Sequence, residues 1–248
     1  MTQPQRSGSR INPWWIIGAF VAVVAVFAAI ALLSGGDDEL TVDAGAAADA
    51  SADGSGDGGD GGAGEPTAGP TPEPTTPPVV TEFGTVTVSG AALSPLPETG
   101  VDGMVGSTAP SITSNDFTGA PTAIEPGQGV RVVVFLAHWC PHCNNEAPRL
   151  ASAIAAGIPE GVSVVVVPTG SNEGYPNWPP SAWVADMGLS GLPLVVDDAA
   201  GTIGQAFGLS SYPYIVLLDD SNTVLGRIAG EQPDGFFAQL FDEAAAAV

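Results

Sequence analysis

The sequence predicts an α/β domain, a central mixed sheet flanked by helices, carried behind an N-terminal transmembrane helix and a disordered linker. Three observations predict it. An uncharged, almost wholly apolar run fills Trp14–Leu33. A segment rich in glycine, proline and acidic residues follows it, with almost no large apolar side chain. From residue 79 onward, short apolar β-branched runs alternate with helix-forming stretches. The boundaries read as 1–13 for a cytoplasmic N-terminus, 14–34 for the membrane helix, 35–78 for the linker and 79–248 for one folded domain.

The span comes first. Its twenty residues (WWIIGAFVAVVAVFAAIALL), at about 1.5 Å rise each, match a hydrocarbon core about 30 Å thick. Pro13 suits the first helical position, and Trp14–Trp15 suits the headgroup interface. Arg6 and Arg10 precede the span, whereas Asp37, Asp38 and Glu39 follow it, so the positive-inside rule leaves the folded domain outside the cell. A cleaved signal peptide has a shorter apolar stretch and a small-x-small exit; this one ends ALLSGG, so an uncleaved single-pass anchor is expected. A lipoprotein needs a cysteine just after the span, and none is there. The linker cannot bury enough surface to offset its ordering entropy. Its first half reads as a flexible acidic tether and its second (EPTAGPTPEPTTPP) as a stiffer, extended spacer.

Within the domain, TVTVSG (85–90) reads as a short strand, and VGSTAP (105–110) with DFTG (116–119) as the loop and turn of a small hairpin. RVVVFLA (131–137) is a continuous apolar run, as a strand buried on both faces requires. A helix interrupted by Pro148 follows it. VSVVVVP (162–168) predicts a second buried strand. After a loop, a short helix is expected from about Ser181, whose hydroxyl suits a cap. PLVVDD (193–198) reads as a third strand and GTIGQAFGL (201–209) as a short helix. YPYIVLLDD (212–220) and TVLGRIAG (223–230) predict an antiparallel hairpin turning at Asp220–Ser221–Asn222, and a last helix is expected over Pro233–Ala245.

The formal charge is −22, with no lysine anywhere. So acidic a chain repels phosphate backbones, which excludes nucleic acid as a partner. There are only two cysteines, Cys140 and Cys143. A structural disulfide framework uses more cysteines at longer spacings, so the pair points to chemistry.

The segment WCPHC (139–143) follows a buried strand and opens a helix. Cys140 then falls where free N–H groups and the helix dipole stabilise a thiolate, the attacking species in thiol exchange. Cys143, one turn on, shares its face and can close a disulfide. Pro141 suits the first turn. A protonated His142 favours the thiolate further and shifts the balance toward the dithiol. Zinc needs four converging ligands, and His138, Cys140, His142 and Cys143 flank one helix start too closely to surround an ion. Haem attachment needs a histidine at 144, where Asn144 stands. No metal is expected, and no cofactor beyond the redox-active disulfide itself.

The segment FLAHWCPHCNNEAPRL resembles the active-site helix of thioredoxin-like proteins, especially the membrane-anchored TlpA/ResA-type redoxins. Their pattern W-C-x-x-C-x-x-E-x-P-x-L is matched by Trp139, Cys140, Cys143, Glu146, Pro148 and Leu150. VGSTAPSITSNDFTG resembles their opening hairpin, and Tyr212–Pro213 stands where they place a cis-proline. The whole is most similar to actinobacterial tethered members with a CPHC site. The resemblance implies a thioredoxin fold over 84–246, a peptide-presenting role for Pro213 and a proton-moving role for Glu146. Trp139, Pro141 and His142 become tuning residues, and Tyr212, Trp178 and Trp183 candidates for a substrate groove. Tyr175 belongs with those aromatics, and His138 reads as a surface histidine beside the motif. Where classical thioredoxin has a buried aspartate, this chain has Val134, so assistance to proton transfer falls to Glu146, His142 or water.

A thiol–disulfide oxidoreductase acting on exported proteins, with a membrane redox partner, is therefore expected. The C-P-H-C dipeptide argues for an oxidant and the body for a reductant; both directions stay open. The rival class is a non-enzymatic binding or chaperone module on the same scaffold. A peroxidase is disfavoured, because no T-x-x-C precedes Cys140.

Overall fold

The computed structural model describes residues 80–248. The expected cytoplasmic segment 1–13, membrane helix 14–34 and linker 35–78 lie outside the described residues. Among the described residues no helix is long and apolar enough to cross a membrane.

The chain first makes a small antiparallel sheet from β1 (Thr87–Ser89), β2 (Ser111–Asn115) and β3 (Pro121–Ile124). Its hairpin turns where the sequence predicts, because Asp116 Oδ1 accepts the N–H groups of Thr118 at 2.8 Å and Ala120 at 3.0 Å. The main sheet follows: β4 (Val130–Leu136), β5 (Val162–Pro168), β6 (Tyr214–Leu218) and β7 (Val224–Ala229), in the order β5-β4-β6-β7. The β4–β5 pair is parallel and the other two antiparallel. The parallel pair needs a crossover, and α1 (Pro141–Ala156) provides it. Helices α2 (Pro180–Asp186), α3 (Thr202–Ala206) and α4 (Phe236–Ala245) complete the fold.

Both faces of this sheet are buried, which is why its central strands are continuously apolar. Val132, Val134 and Leu136 of β4 join Val164 and Val166 of β5 in a core with α1, α2 and α4. Val133 and Phe135 point the other way, into a second core with Ile203 and Phe207 at α3 and with Ile112 and Ile124 of the small sheet. That second layer is pinned by Arg227 on β7. Its guanidinium meets the Asp102 carboxylate and donates to the carbonyls of Ser94 at 2.9 Å and Phe207 at 3.2 Å.

Two expectations are corrected here. Residues 193–198 do not form a strand; Leu194 makes only an isolated parallel bridge to Val166. The segment runs along β5, with Val195 N–H donating to Val166 O and Asp197 N–H to Pro168 O at 3.0 Å each, while the intervening Val196 N–H donates to Asn115 O of the small sheet at 3.0 Å. Ser181 is not the cap of α2, which starts at Pro180 after Pro179. Instead Ser181 gives both its N–H, at 3.0 Å, and its hydroxyl, at 2.6 Å, to the Glu82 carboxylate. A remote acid thus covers this helix start.

Candidate active site

Strand β4 ends at Leu136, and three residues carry the chain to Cys140, which occupies the cap position of α1. Cys140 has extended backbone (φ −76°, ψ 122°), and Pro141 opens the helix where no N–H partner is needed. Cys143 falls one turn later. Both cysteines are free thiols, 5% and 0% exposed. The Ala137 N–H donates to Cys143 Sγ at 3.5 Å. Burial nevertheless drives the Cys143 thiol far above its ordinary value, and Cys140 and Glu146 push it the same way. Cys143 is therefore a protonated, shielded sulfur; Cys140 stands at the helix mouth.

The antiparallel register Phe135↔Tyr214 brings the start of β6 beside the end of β4. Pro213 therefore lies at the sheet end that bears the cysteines, and Tyr212–Pro213 is cis, as the resemblance implied. Burial raises the Tyr212 hydroxyl, the Thr169 hydrogen bond opposes that, and both cysteine sulfurs add to the rise. The Tyr212 ring also meets Trp139 edge-on, with centroids 5.6 Å apart, and Tyr175 lies 5.3 Å from Trp139 on that indole. The Trp139 indole N–H donates to Gly170 O at 2.8 Å. Beside Tyr212 a cavity of about 260 Å³ is lined by Thr169, Gly170, Asn172, Gly201 and Gln205. Thus Trp139, Tyr175 and Tyr212 form one aromatic group at the cysteines.

The other two aromatics do not join that group. Trp183 is 3% exposed within the core, and its indole N–H donates to Asn144 Oδ1 at 2.7 Å. Trp178 packs against Phe83 and His138, at centroid distances of 5.9 Å to each. His138 is also not a surface residue. It is buried; its Nδ1 donates to Pro176 O at 2.7 Å, and its Nε2 accepts the Asn172 N–H at 3.2 Å. That pair of contacts fixes the neutral tautomer protonated on Nδ1. His138 thereby ties the 169–179 loop to the active-site turn.

Glu146 is fully buried on α1, behind Cys143. Its Oε2 accepts the Gln232 N–H at 3.0 Å and lies 3.8 Å from Arg149, while Oε1 has no hydrogen-bond partner. Burial pushes this carboxyl up to about 7, against the Gln232 N–H and Arg149 and with the help of Glu231. A carboxyl that changes charge near neutrality suits proton exchange with a neighbouring thiol. His142 is mostly exposed and contacts Glu231 Oε2 through Nδ1 at 2.8 Å. No buried acid occupies strand β4 at Val134, which lies in the core.

Several residues of the site went unread in the sequence. Asn144 donates through Nδ2 to the Cys140 carbonyl at 3.1 Å, and Asn177 donates to the His138 carbonyl at 2.8 Å. Asn177 has φ 61°, a left-handed backbone that asparagine tolerates. Glu231 binds three side chains of α1 at once: His142, Asn145 and Arg149. Asp197, also buried, accepts the N–H groups of Ile203 and Gly204 and the Thr169 hydroxyl, so its role is to hold α3.

Residues 105–226 match the AhpC/TSA family. The fold is thioredoxin-like, a mixed sheet with flanking helices. No curated protein matches the chain. Three similar solved structures illustrate the likeness. A putative thiol:disulfide interchange protein DsbE from Chlorobium tepidum is 21% identical, with 56% of this chain and 97% of that one covered at a TM-score of 0.48. A secreted Mycobacterium tuberculosis disulfide oxidoreductase homologous to E. coli DsbE is 24% identical, with 54% and 94% covered at 0.43. A putative thioredoxin from Neisseria meningitidis is 28% identical, with 55% and 88% covered at 0.42.

Proposed function

We propose that this chain exchanges thiols and disulfides with exported proteins, through Cys140 and Cys143, from the outer face of a membrane to which residues 14–34 anchor it. The observation that carries the reading is the pairing of a cysteine at the mouth of α1 with a second, buried and protonated, one turn behind it.

In the reducing direction the Cys140 thiolate attacks one sulfur of a substrate disulfide. A Cys140–substrate bond forms, the substrate S–S bond breaks, and the departing sulfur takes up a proton. Cys143 then gives its proton to Glu146 and attacks the Cys140 sulfur. The second substrate thiol leaves, and two electrons have passed from the cysteine pair to the substrate. The oxidising direction is the reverse. In both, Pro213 and the ring group of Trp139, Tyr175 and Tyr212 hold the extended peptide beside Cys140. A membrane redox partner resets the pair.

His142 alone favours an oxidant, because positive charge stabilises the reduced thiolate. Here Glu231 lies against that imidazole and offsets its charge, which weighs toward a reductant. Equilibration with glutathione reads the direction: about −120 mV marks an oxidant and about −270 mV a reductant.

Trapping tests the chemistry. Cys143→Ala should accumulate a covalent adduct with disulfide-bearing exported proteins, because the Cys140 thiolate can break the substrate S–S bond but the resolving sulfur is gone, whereas Cys140→Ala should form none. Full exchange activity in both variants would overturn the mechanism.

A further inference from the structure

The chain leaves β7 at Ala229 and crosses α1 before entering α4. Residues 230–234 of that crossing are fastened to α1 by more bonds than a connecting loop requires. Glu231 Oε2 meets His142 Nδ1 at 2.8 Å and Asn145 Nδ2 at 3.2 Å, and its Oε1 meets Arg149 Nη1 at 2.8 Å. Arg149 also donates to Gln232 O at 3.0 Å and pairs with Asp234 at 2.7 Å. Beneath this strap lies Glu146, with no exposed surface and its Oε2 held by the Gln232 N–H.

We propose that Glu231 is a positioning residue: by gripping His142, Asn145 and Arg149 it clamps the strap onto α1 and keeps the Glu146 carboxyl dry. The inference rests on the proton role proposed for Glu146 and says how the protein maintains it. A buried carboxyl keeps a raised midpoint, and so exchanges its proton near neutrality, only while water and cations are kept away. Glu231 does both, since it covers the site and it occupies Arg149 Nη1, which lies 3.8 Å from Glu146 Oε2. Cys143 also acts on this carboxyl from the helix side, and Asp234 engages Arg149 through Nε rather than Nη1.

Releasing the clamp acts on Glu146 in one direction by three routes. Water enters, the Glu231 charge that disfavours ionisation disappears, and Arg149 Nη1 loses its carboxylate partner and keeps only the Gln232 carbonyl, so that more of its charge acts on Glu146. All three lower the midpoint.

The experiment is a pH titration of the Glu146 carboxyl carbon by NMR in the full-length, ¹³C-glutamate-labelled protein in detergent micelles. The resonance is assigned by its loss in Glu146→Gln. In the unaltered protein the midpoint should lie at about 7. In Glu231→Gln it should fall by at least about one unit, toward the ordinary glutamate value of about 4.3. In Asp234→Asn, which removes a charge from the same strap without touching the three Glu231 contacts, it should stay in place. A midpoint unmoved in Glu231→Gln, or an equal fall in Asp234→Asn, overturns the proposal. The readout does not depend on redox activity, so absence of a trapped adduct in Cys143→Ala would remove the exchange mechanism and leave this result standing.

Discussion

Trp183 and Cys140 are joined by a single side chain: the Trp183 indole N–H donates to Asn144 Oδ1 at 2.7 Å, and Asn144 Nδ2 donates to the Cys140 carbonyl at 3.1 Å. A tryptophan of α2 that is buried in the core thus helps set the backbone of the reactive turn. The indole is buried and Asn144 half-buried, so the Trp183 N–H must find its partner inside the protein.

Trp183→Phe keeps most of the apolar ring and removes the donor. Asn144 Oδ1 is left with only the longer 3.4 Å contact from Asn177. Losing such a half-buried hydrogen bond costs about 0.5–1.5 kcal/mol, so the urea midpoint should fall accordingly. Substrate affinity should change little, because the ring lies in the core and away from Trp139, Tyr175 and Tyr212. A large loss of affinity at unchanged stability would return Trp183 to the substrate groove.

Glu146 makes stability depend on pH in a defined window. Its carboxyl is raised by burial from 4.5 in the unfolded chain to about 7 in the fold. Between those values the folded state holds a proton that the unfolded state has released, so stability falls as pH rises and the loss is complete above about 7. A difference of this size corresponds to about 3 kcal/mol. In Glu146→Gln that slope should vanish, and the variant should be the more stable one at pH 8. Chemical unfolding at pH 4.5, 6 and 8 measures it. A slope unchanged in the variant would show that Glu146 is charged throughout.

The two sulfurs should differ sharply toward an alkylating reagent. Cys143 is wholly buried, and burial disfavours its thiolate strongly. At neutral pH the reduced protein should therefore take up one label, at Cys140, and Cys140→Ser should take up none until denaturant is added. Mass spectrometry after iodoacetamide treatment counts the labels. Rapid labelling of folded Cys140→Ser would contradict the buried, protonated Cys143.

Much of this fold was legible in the chain because burial on both sides leaves a plain mark: the valine runs of β4 and β5 admit no polar residue that faces solvent. The cysteine pair was legible too, since a strand, WCPHC and a helix follow one another without interruption. Contacts between distant segments left no such mark. Glu231 stands 89 positions from His142, and nothing local distinguishes it from the other surface acids. Trp183 and His138 misled for a related reason. An aromatic or imidazole ring fits a groove or a core equally well, and tertiary packing alone decides. At 193–198 the apolar pattern suggested a strand, and the chain does run beside β5, but its Val196 N–H is shared out to Asn115 on the small sheet and only the bridge of Leu194 to Val166 is left of a ladder.

His138 should matter to the fold of the site rather than to its chemistry. Its two ring nitrogens satisfy Pro176 O and the Asn172 N–H, which no apolar side chain can do. In His138→Phe both backbone groups lose that partner in a loop whose residues 172–177 are exposed, so water replaces it in part and each lost bond costs about 0.5–1.5 kcal/mol. The 169–179 loop carries Gly170, whose carbonyl holds the Trp139 indole, so its loosening reaches the cysteines through that ring. Amide exchange at Asn172 should quicken by up to about tenfold, since about 1.4 kcal/mol is a factor of ten, while the Cys140 adduct should still form in a Cys143→Ala background, only more slowly. Asn172 protection unchanged in His138→Phe would mean that another group secures the loop and that this histidine is dispensable to it.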